Sequence, residues 1–512
     1  MTSFQEERLM EIADAIRFAE RSNGPITAMG FAERIRGLSG SAVSVPDAHR
    51  QIGGMTQGTT SGFTRVGNFL YRHTNTASTV LDIVNTSNNR LTQIMGLANG
   101  TVTGFTKVGN FLYRHTGTAS TILDIIDTAS NTHVQITGLV SGSTTGFTRV
   151  GNFLYRHSGA ASGVINIVNT VNNTLTQITG FASGSTPGFT KVGNFLYRHT
   201  GFTTSSVAVI NTANNTHTHI SGFATQSTTG FTRVGNFLYR HTGTASTVLD
   251  IINTANNTRS QIMGLASGAT TGFTVVGNFL YRHVGSVTDT LDIIDAGTNA
   301  LTQVTGLASG TTLGFTIMGN FLYRHTNTAS TILDIVNTSD HSLVQISGLV
   351  NGANTGFTIV GNFLYRHTTT ASTILDIVNA ANNTLTRLTG FVNGSTSGFT
   401  QVGNFLYRHT ATASTILDVI NTANNTLAQI TGLASGATTG FTIVGNFLYR
   451  HSSPTTILTI INTADNSHSR ISGLVSGSTN GFTIVGNFLY RHVGSVTDSL
   501  DIFNMFSVEQ KF

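Results

Sequence analysis

One segment, GFTxVGNFLYRH, recurs in eleven near-copies, and its period constrains the fold more than any other property of the chain. The copies begin at Gly62, Gly104, Gly146, Gly188, Gly230, Gly272, Gly314, Gly356, Gly398, Gly440 and Gly481, a step of 42 residues that shortens by one only before the last. Self-similarity at such a period marks a repeat architecture, in which each unit is a supersecondary element that cannot bury its own apolar surface. The array covers about nine tenths of the 512 residues, so length alone says little about domain number.

In the first unit, residues 63–67, 68–74, 79–85 and 91–97 are rich in β-branched and aromatic side chains and are separated by Gly, Asn, Ser and Thr clusters. Each unit therefore reads as a four-stranded antiparallel meander. Alternation places Phe69 and Tyr71 on one face and Leu70 on the other, so both faces need cover. Stacking the sheets radially supplies it, and the expected fold is all-β, a β-propeller of eleven four-stranded repeats. The unit also resembles the propeller repeats of roughly 42 residues whose strands read like GNYAYVAD and LxVIDVSN; NFLYRHT and STVLDIVNT stand at those places here.

The two ends point to closure. HRQIGGM at 49–55 looks like a fourth strand with no first three before it, and the last unit stops after SLDIFN at 499–504, its third. Pairing them removes free edges. Eleven blades exceed the usual four to eight, and two units carry VGSVTD at 284–289 and 493–498 where the others have HTxTAST-like hairpins. The favoured expectation is two rings, six blades over 41–299 and five over 300–512, closed by His49 to Met55 and by Leu301 to Leu307; one large ring is the other arrangement.

Only 10% of residues are charged, the net charge is +5, and there is no Cys or Trp. Disulfides and thiolate metal sites are excluded, and the scattered cations argue against nucleic-acid binding. No run approaches the roughly 18 apolar residues of a membrane span, and the N-terminus lacks a signal-peptide core, so no membrane insertion and synthesis as a soluble cytosolic product are expected.

Every unit contains Tyr-Arg-His. An Asp nine residues after the His is the natural partner of the Arg, giving structural ion pairs Arg72–Asp82 and Arg114–Asp124. That Asp becomes Asn166, Ala208 and Thr459 in three units, whose arginines must be solvated or held by carbonyls. The histidines lie too far apart to share a metal, and His217 with His219 is the only local pair, so no metal or cofactor is expected. Three residues after each leading Gly the chain reads Arg65, Lys107, Arg149, Lys191, Arg233, then Val275, Ile317, Ile359, Gln401, Ile443, Ile484. Exchange of a cation for Ile does not suit a packed core, so this position is a candidate partner surface. The loop residues Thr74, Asn75, Thr76 and Ser78, with their equivalents, are candidates for weak, multivalent glycan binding. No catalytic constellation stands out from the repeat, and the chain is expected not to be an enzyme.

Residues 1–40 differ from the rest. Ser3 and Glu6 fit a capping box, Leu9, Ile12, Ala13, Ile16 and Ala19 form one apolar face, and a second helix is expected from Thr27 to Gly37. This small helical hairpin is expected to dock or oligomerise. EIADAIRFAERSNGPITAMGFAERIRGL resembles the helical N-terminal motif of phage tail and baseplate-associated proteins, through residues 12–17 and 31–38, with a loop that departs from the usual Lys-Thr-Gly. The resemblance implies a virion location, other tail proteins as partners through these helices, a homo-oligomer, and host-surface attachment. The alternative is a cellular lectin or protein-interaction scaffold.

Overall fold

The computed structural model describes residues 48–509, so the helical hairpin and the motif expected over residues 1–40 lie outside it. The fifth unit shows the plan. Gly230–Val234, Phe237–His241, Ser246–Asn253 and Thr258–Gly268 pair antiparallel in sequence order, with Phe231 opposite Arg240, Tyr239 opposite Ile251 and Asp250 opposite Gln261. The turn joining the first two strands needs Gly235 at φ 55°, a left-handed conformation that costs a residue with a Cβ. The turn joining the last two ends on Asn257 at φ 57°, and Asn253 and Asn256 accept the amides of Ala255 and Thr258. The Thr254 amide donates to the Asn236 carbonyl at 2.7 Å, which ties the two turns together at one end of the sheet.

Between the second and third strands the chain does not form a free loop. In the first unit the strand runs unbroken from Phe69 to Asn85, because Thr74 and Ser78 pair with Val102 and Gly100 of the connection to the next unit. The approach is close: a Cβ on Gly100 would stand 2.6 Å from Thr116 Oγ1.

Neighbouring sheets pack face to face. Tyr239, Leu249, Ile251, Ile262 and Leu265 of the fifth unit bury against Leu280 and Ile294 of the sixth. At about 1.5–3 kcal/mol per fully buried large apolar side chain, such a junction outweighs any single polar contact. The same packing joins the sixth unit to the seventh, through Tyr281, Leu291, Ile293 and Leu307 against Leu322 and Val336. It also joins the last to the first, through Val485, Tyr490, Leu500 and Ile502 against Leu70 and Val84. First strands of consecutive units, such as Gly356–Val360 and Gly398–Val402, contact each other, which places them nearest the axis. Repeated four-stranded antiparallel sheets packed in this way make a β-propeller.

The ends meet. His49–Ile52 pairs antiparallel with Leu500–Asn504, His49 opposite Phe503 and Ile52 opposite Leu500, so the first strand of the described chain completes the last sheet. A short helix, Met505–Glu509, follows and buries Met505 and Val508 against that sheet and its neighbour. The strand pairs required by separate rings of six and five are not the ones formed. Leu301–Thr312 pairs with Phe279–Asp295 inside the sixth unit, and apolar packing runs unbroken across the division expected between residues 299 and 300. The VGSVTD hairpins that suggested the division place Val284 and Val493 at a fully buried position where most units have Thr, and expose Val287 and Val496, and neither change alters the strand pairs of its unit.

Candidate functional site

The recurring arginine sits at the junction of three segments. In the sixth unit Arg282 Nε donates to Thr270 Oγ1 at 2.8 Å, and Nη1 donates to the Ala266 carbonyl and to Asp292 Oδ2, both at 2.7 Å. Its Nη2 donates to the carbonyls of Gly268 and of Ser246, the latter on the preceding unit. Asp292 in turn accepts the Ala266 amide at 3.1 Å and Gln303 Nε2 at 2.7 Å. Both charged side chains are fully buried. One ion pair thus binds a strand to its neighbour, to the inter-unit connection, and to the unit before it.

Eight units hold this pair, including Arg72–Asp82 and Arg114–Asp124, each at 2.7 Å. The three exceptions keep the arginine buried and give it oxygens without charge. Arg198, opposite no carboxylate because Ala208 stands there, donates to Thr186 Oγ1 at 2.8 Å and to the carbonyls of Ala182, Gly184 and Ser162. Burial pulls Arg156, Arg198 and Arg450 down to about 10, so all three remain cations at neutral pH.

Tyr and His serve the opposite face. Tyr71 and His73 both pack on Phe105 of the next unit, with ring centroids 6.3 and 5.9 Å away. His73 Nε2 bonds Thr64 Oγ1 at 2.8 Å within its own sheet. Tyr71 donates its hydroxyl to Asn131 Oδ1 at 2.7 Å, on the left-handed residue of the next unit's last turn. The relay continues through the sixth unit, where Tyr281 bonds His341 in place of Asn, and returns from Tyr490 to Asn89. Burial pushes Tyr71 up to about 12, with the charge of Asp127 adding to it, and burial lowers every one of the eleven repeat histidines. These groups hold units together, and none is presented to solvent in a form suited to acid–base chemistry.

The Tyr–Asn and His–Thr bonds, and the Gln that joins the Asp, are absent from the reading of the sequence. A signal existed for one of them: an Asn stands at the same place in nearly every last turn, where a left-handed residue is needed. His217 and His219 do lie together, centroids 5.2 Å apart and edge to face, both beside Phe181. Among the described residues no three His, Asp or Glu side chains are grouped to hold a metal.

What remains for a partner is on the surface. Arg65, Lys107, Arg149, Lys191 and Arg233 are all exposed, and none forms an ion pair among the described residues. The three arginines are pinned: Arg65, Arg149 and Arg233 donate Nε to the carbonyl of the turn glycine two residues on, at 2.9–3.1 Å, leaving the outer nitrogens to solvent. Val275, Ile317, Ile359, Ile443 and Ile484 continue this position in the later units and are 38–46% exposed. One arc is basic, the other apolar. Of the four loop candidates, Thr74 is buried, Thr76 and Ser78 are half-buried, and only Asn75 is exposed. Their pairing with the connection at Gly100–Val102 explains the difference from a free loop.

No family model matches the chain, and no curated protein matches it. Among solved structures, the computationally designed Ika8 protein aligns with a TM-score of 0.36 and 11% identity, over 65% of this chain and 97% of that one. AztD from Citrobacter koseri aligns at 0.33 and 12% identity, over 64% and 95%, and BamB from Moraxella catarrhalis at 0.32 and 12%, over 62% and 96%. Scores this low carry no functional argument, and the architecture rests on the strand pairs themselves.

Proposed function

We propose that this chain is a non-enzymatic phage virion component, a tail fibre, tail tip or baseplate-associated protein, whose eleven sheets close into one ring used for host-surface attachment. The single ring is supported by the pairing of His49–Ile52 with Leu500–Asn504 and by the Tyr-to-Asn relay that returns from Tyr490 to Asn89. The binding role rests on one observation. The recurring Arg, Asp, Tyr and His are engaged in bonds within the propeller, whereas the position of Arg65 is exposed, pinned and variable between units. The virion assignment rests on the N-terminal motif alone.

Images of the isolated protein should show one disc with eleven spokes; two discs or a thin fibre would remove the single ring. Antibodies to the propeller should label purified phage particles, and particles without the protein in their mass-spectrometric inventory would end the virion reading. The purified protein should adsorb to host cells, and replacing Arg65, Arg149 and Arg233 by Ile should weaken adsorption with a reduced salt dependence. An alternative, a protein-interaction scaffold, is favoured by the apolar arc; adsorption unaffected by those substitutions and lost when Ile317 and Ile359 become Lys would select it.

A further inference from the structure

In most units an aspartate collects the same donors. For Asp418 they are Arg408 Nη1 at 2.7 Å, the Val392 amide at 3.2–3.3 Å and, across the strand pair, Gln429 Nε2 at 2.8 Å. In the tenth unit the acceptor is gone and the donors remain. Thr459 takes the place of the aspartate, and the residue opposite it is Arg470 in place of Gln. Threonine ends one bond short of where carboxylate oxygens stand. Its own Oγ1 is buried with no hydrogen-bond partner, in a residue 1% exposed. Arg450, also 1% exposed, gives Nε to Thr438 Oγ1 and its outer nitrogens to the carbonyls of Ala434, Gly436 and Ser414, which leaves over the N–H that Arg408 gives to Asp418. The Ala434 amide, counterpart of Val392, loses the same acceptor. Arg470 lies beside Gly432, the counterpart of the Gly390 whose carbonyl Gln429 also binds. Neither arginine forms an ion pair among the described residues.

The buried Arg450, a buried hydroxyl and a main-chain amide therefore surround a space that carboxylate oxygens fill elsewhere, with the exposed Arg470 opposite it on the neighbouring strand. A buried cation without a counter-charge is costly, and donors that converge without an acceptor each add a desolvation penalty. We propose that the tenth unit binds a small monovalent anion, of the size of a carboxylate group, between Arg450, Arg470, Thr459 Oγ1 and the Ala434 amide. The other two exceptions lack this combination. The third unit keeps an acceptor, Asn166 Oδ1, which takes Gln177 Nε2 at 2.8 Å. The fourth places His219 opposite Ala208 and holds no orphaned hydroxyl.

Bromide is the direct probe, because its anomalous scattering locates it. Crystals of the full chain soaked in sodium bromide should show a peak among these four groups, and sodium formate should displace it. Thr459→Asp supplies the carboxylate internally and should abolish the peak. Arg470→Gln restores the residue found opposite the aspartate in most units and should weaken bromide binding about tenfold, as expected for one lost charge-assisted bond. Chloride line widths by NMR in solution should follow the same order. A wild-type crystal with no peak at this place, or an equal peak in Thr459→Asp, overturns the proposal; if Thr459→Asp fails to fold, an unchanged bromide affinity in Arg470→Gln overturns it as well.

Discussion

Eight units secure their buried arginine with a carboxylate, and three secure it with neutral oxygens. The carbonyls of the connection are common to both groups, so that part of the cage is what the packing of units requires. The carboxylate is an addition to it. A buried ion pair need not be net stabilising, because desolvation offsets much of the attraction, and the three exceptions fit that expectation.

Acid should have the largest effect, and it should fall on both groups alike. Burial, with the charge of neighbouring histidines behind it, holds His115 and His409 at about 4, below the ordinary 6.5. The unfolded chain therefore binds more protons between these values, and stability present above pH 6.5 is lost as the pH falls towards 4, by at most about 3 kcal/mol per histidine. Circular dichroism should show cooperative acid unfolding in that window. Asp501 acts lower. Burial raises Asp501, but hydrogen bonds from His49, Arg491 and Gln51 outweigh it and hold its pKa below 3.8, so its contribution is lost only below that pH. An acid midpoint that moved in Ala208→Asp would break the assignment to histidine.

Replacing the arginine separates the groups. Arg282→Met leaves Asp292 buried without its cation and should cost about 3–5 kcal/mol, whereas Arg198→Met strips only neutral oxygens, the Thr186 hydroxyl and carbonyls, and should cost about 1–3 kcal/mol. Urea midpoints would compare them, and equal losses would erase the distinction. Removing only the carboxylate is milder: Asp292→Ala recreates the fourth unit's arrangement and should cost about 1–3 kcal/mol, less than Arg282→Met in the same assay. The smallest effect is expected outside the cage, where Arg65→Ile should change stability by less than about 0.5 kcal/mol. A larger loss would show that the exposed arc helps hold the units together.

Much of this was legible in the residues. Four strands per unit follow from alternation, and a fourth strand without its first three pointed to closure, although the two-ring expectation gave it a partner other than Leu500–Asn504; the unbroken strand Phe69–Asn85 did not follow from the residues. The Arg–Asp pair did, because both partners lie in one unit. The carbonyl cage and the Tyr71–Asn131 bond were not legible, because they join residues of different units and depend on how the sheets pack. Nor was the continuity between the sixth and seventh units. The VGSVTD variants were visible, but only the strand pairs around Leu301–Thr312 show that they do not stand at a boundary.

The sheet built from both ends has a consequence for how the chain reaches its final state. His49 and Asp501 meet across 452 residues, a closure that would cost about 5 kcal/mol in entropy for a featureless loop of that length. The intervening chain is not featureless. Sheets that stack one after another bring the two ends steadily closer, so little disorder remains to be lost when they meet. The clasp cannot form on the ribosome until the final unit has emerged.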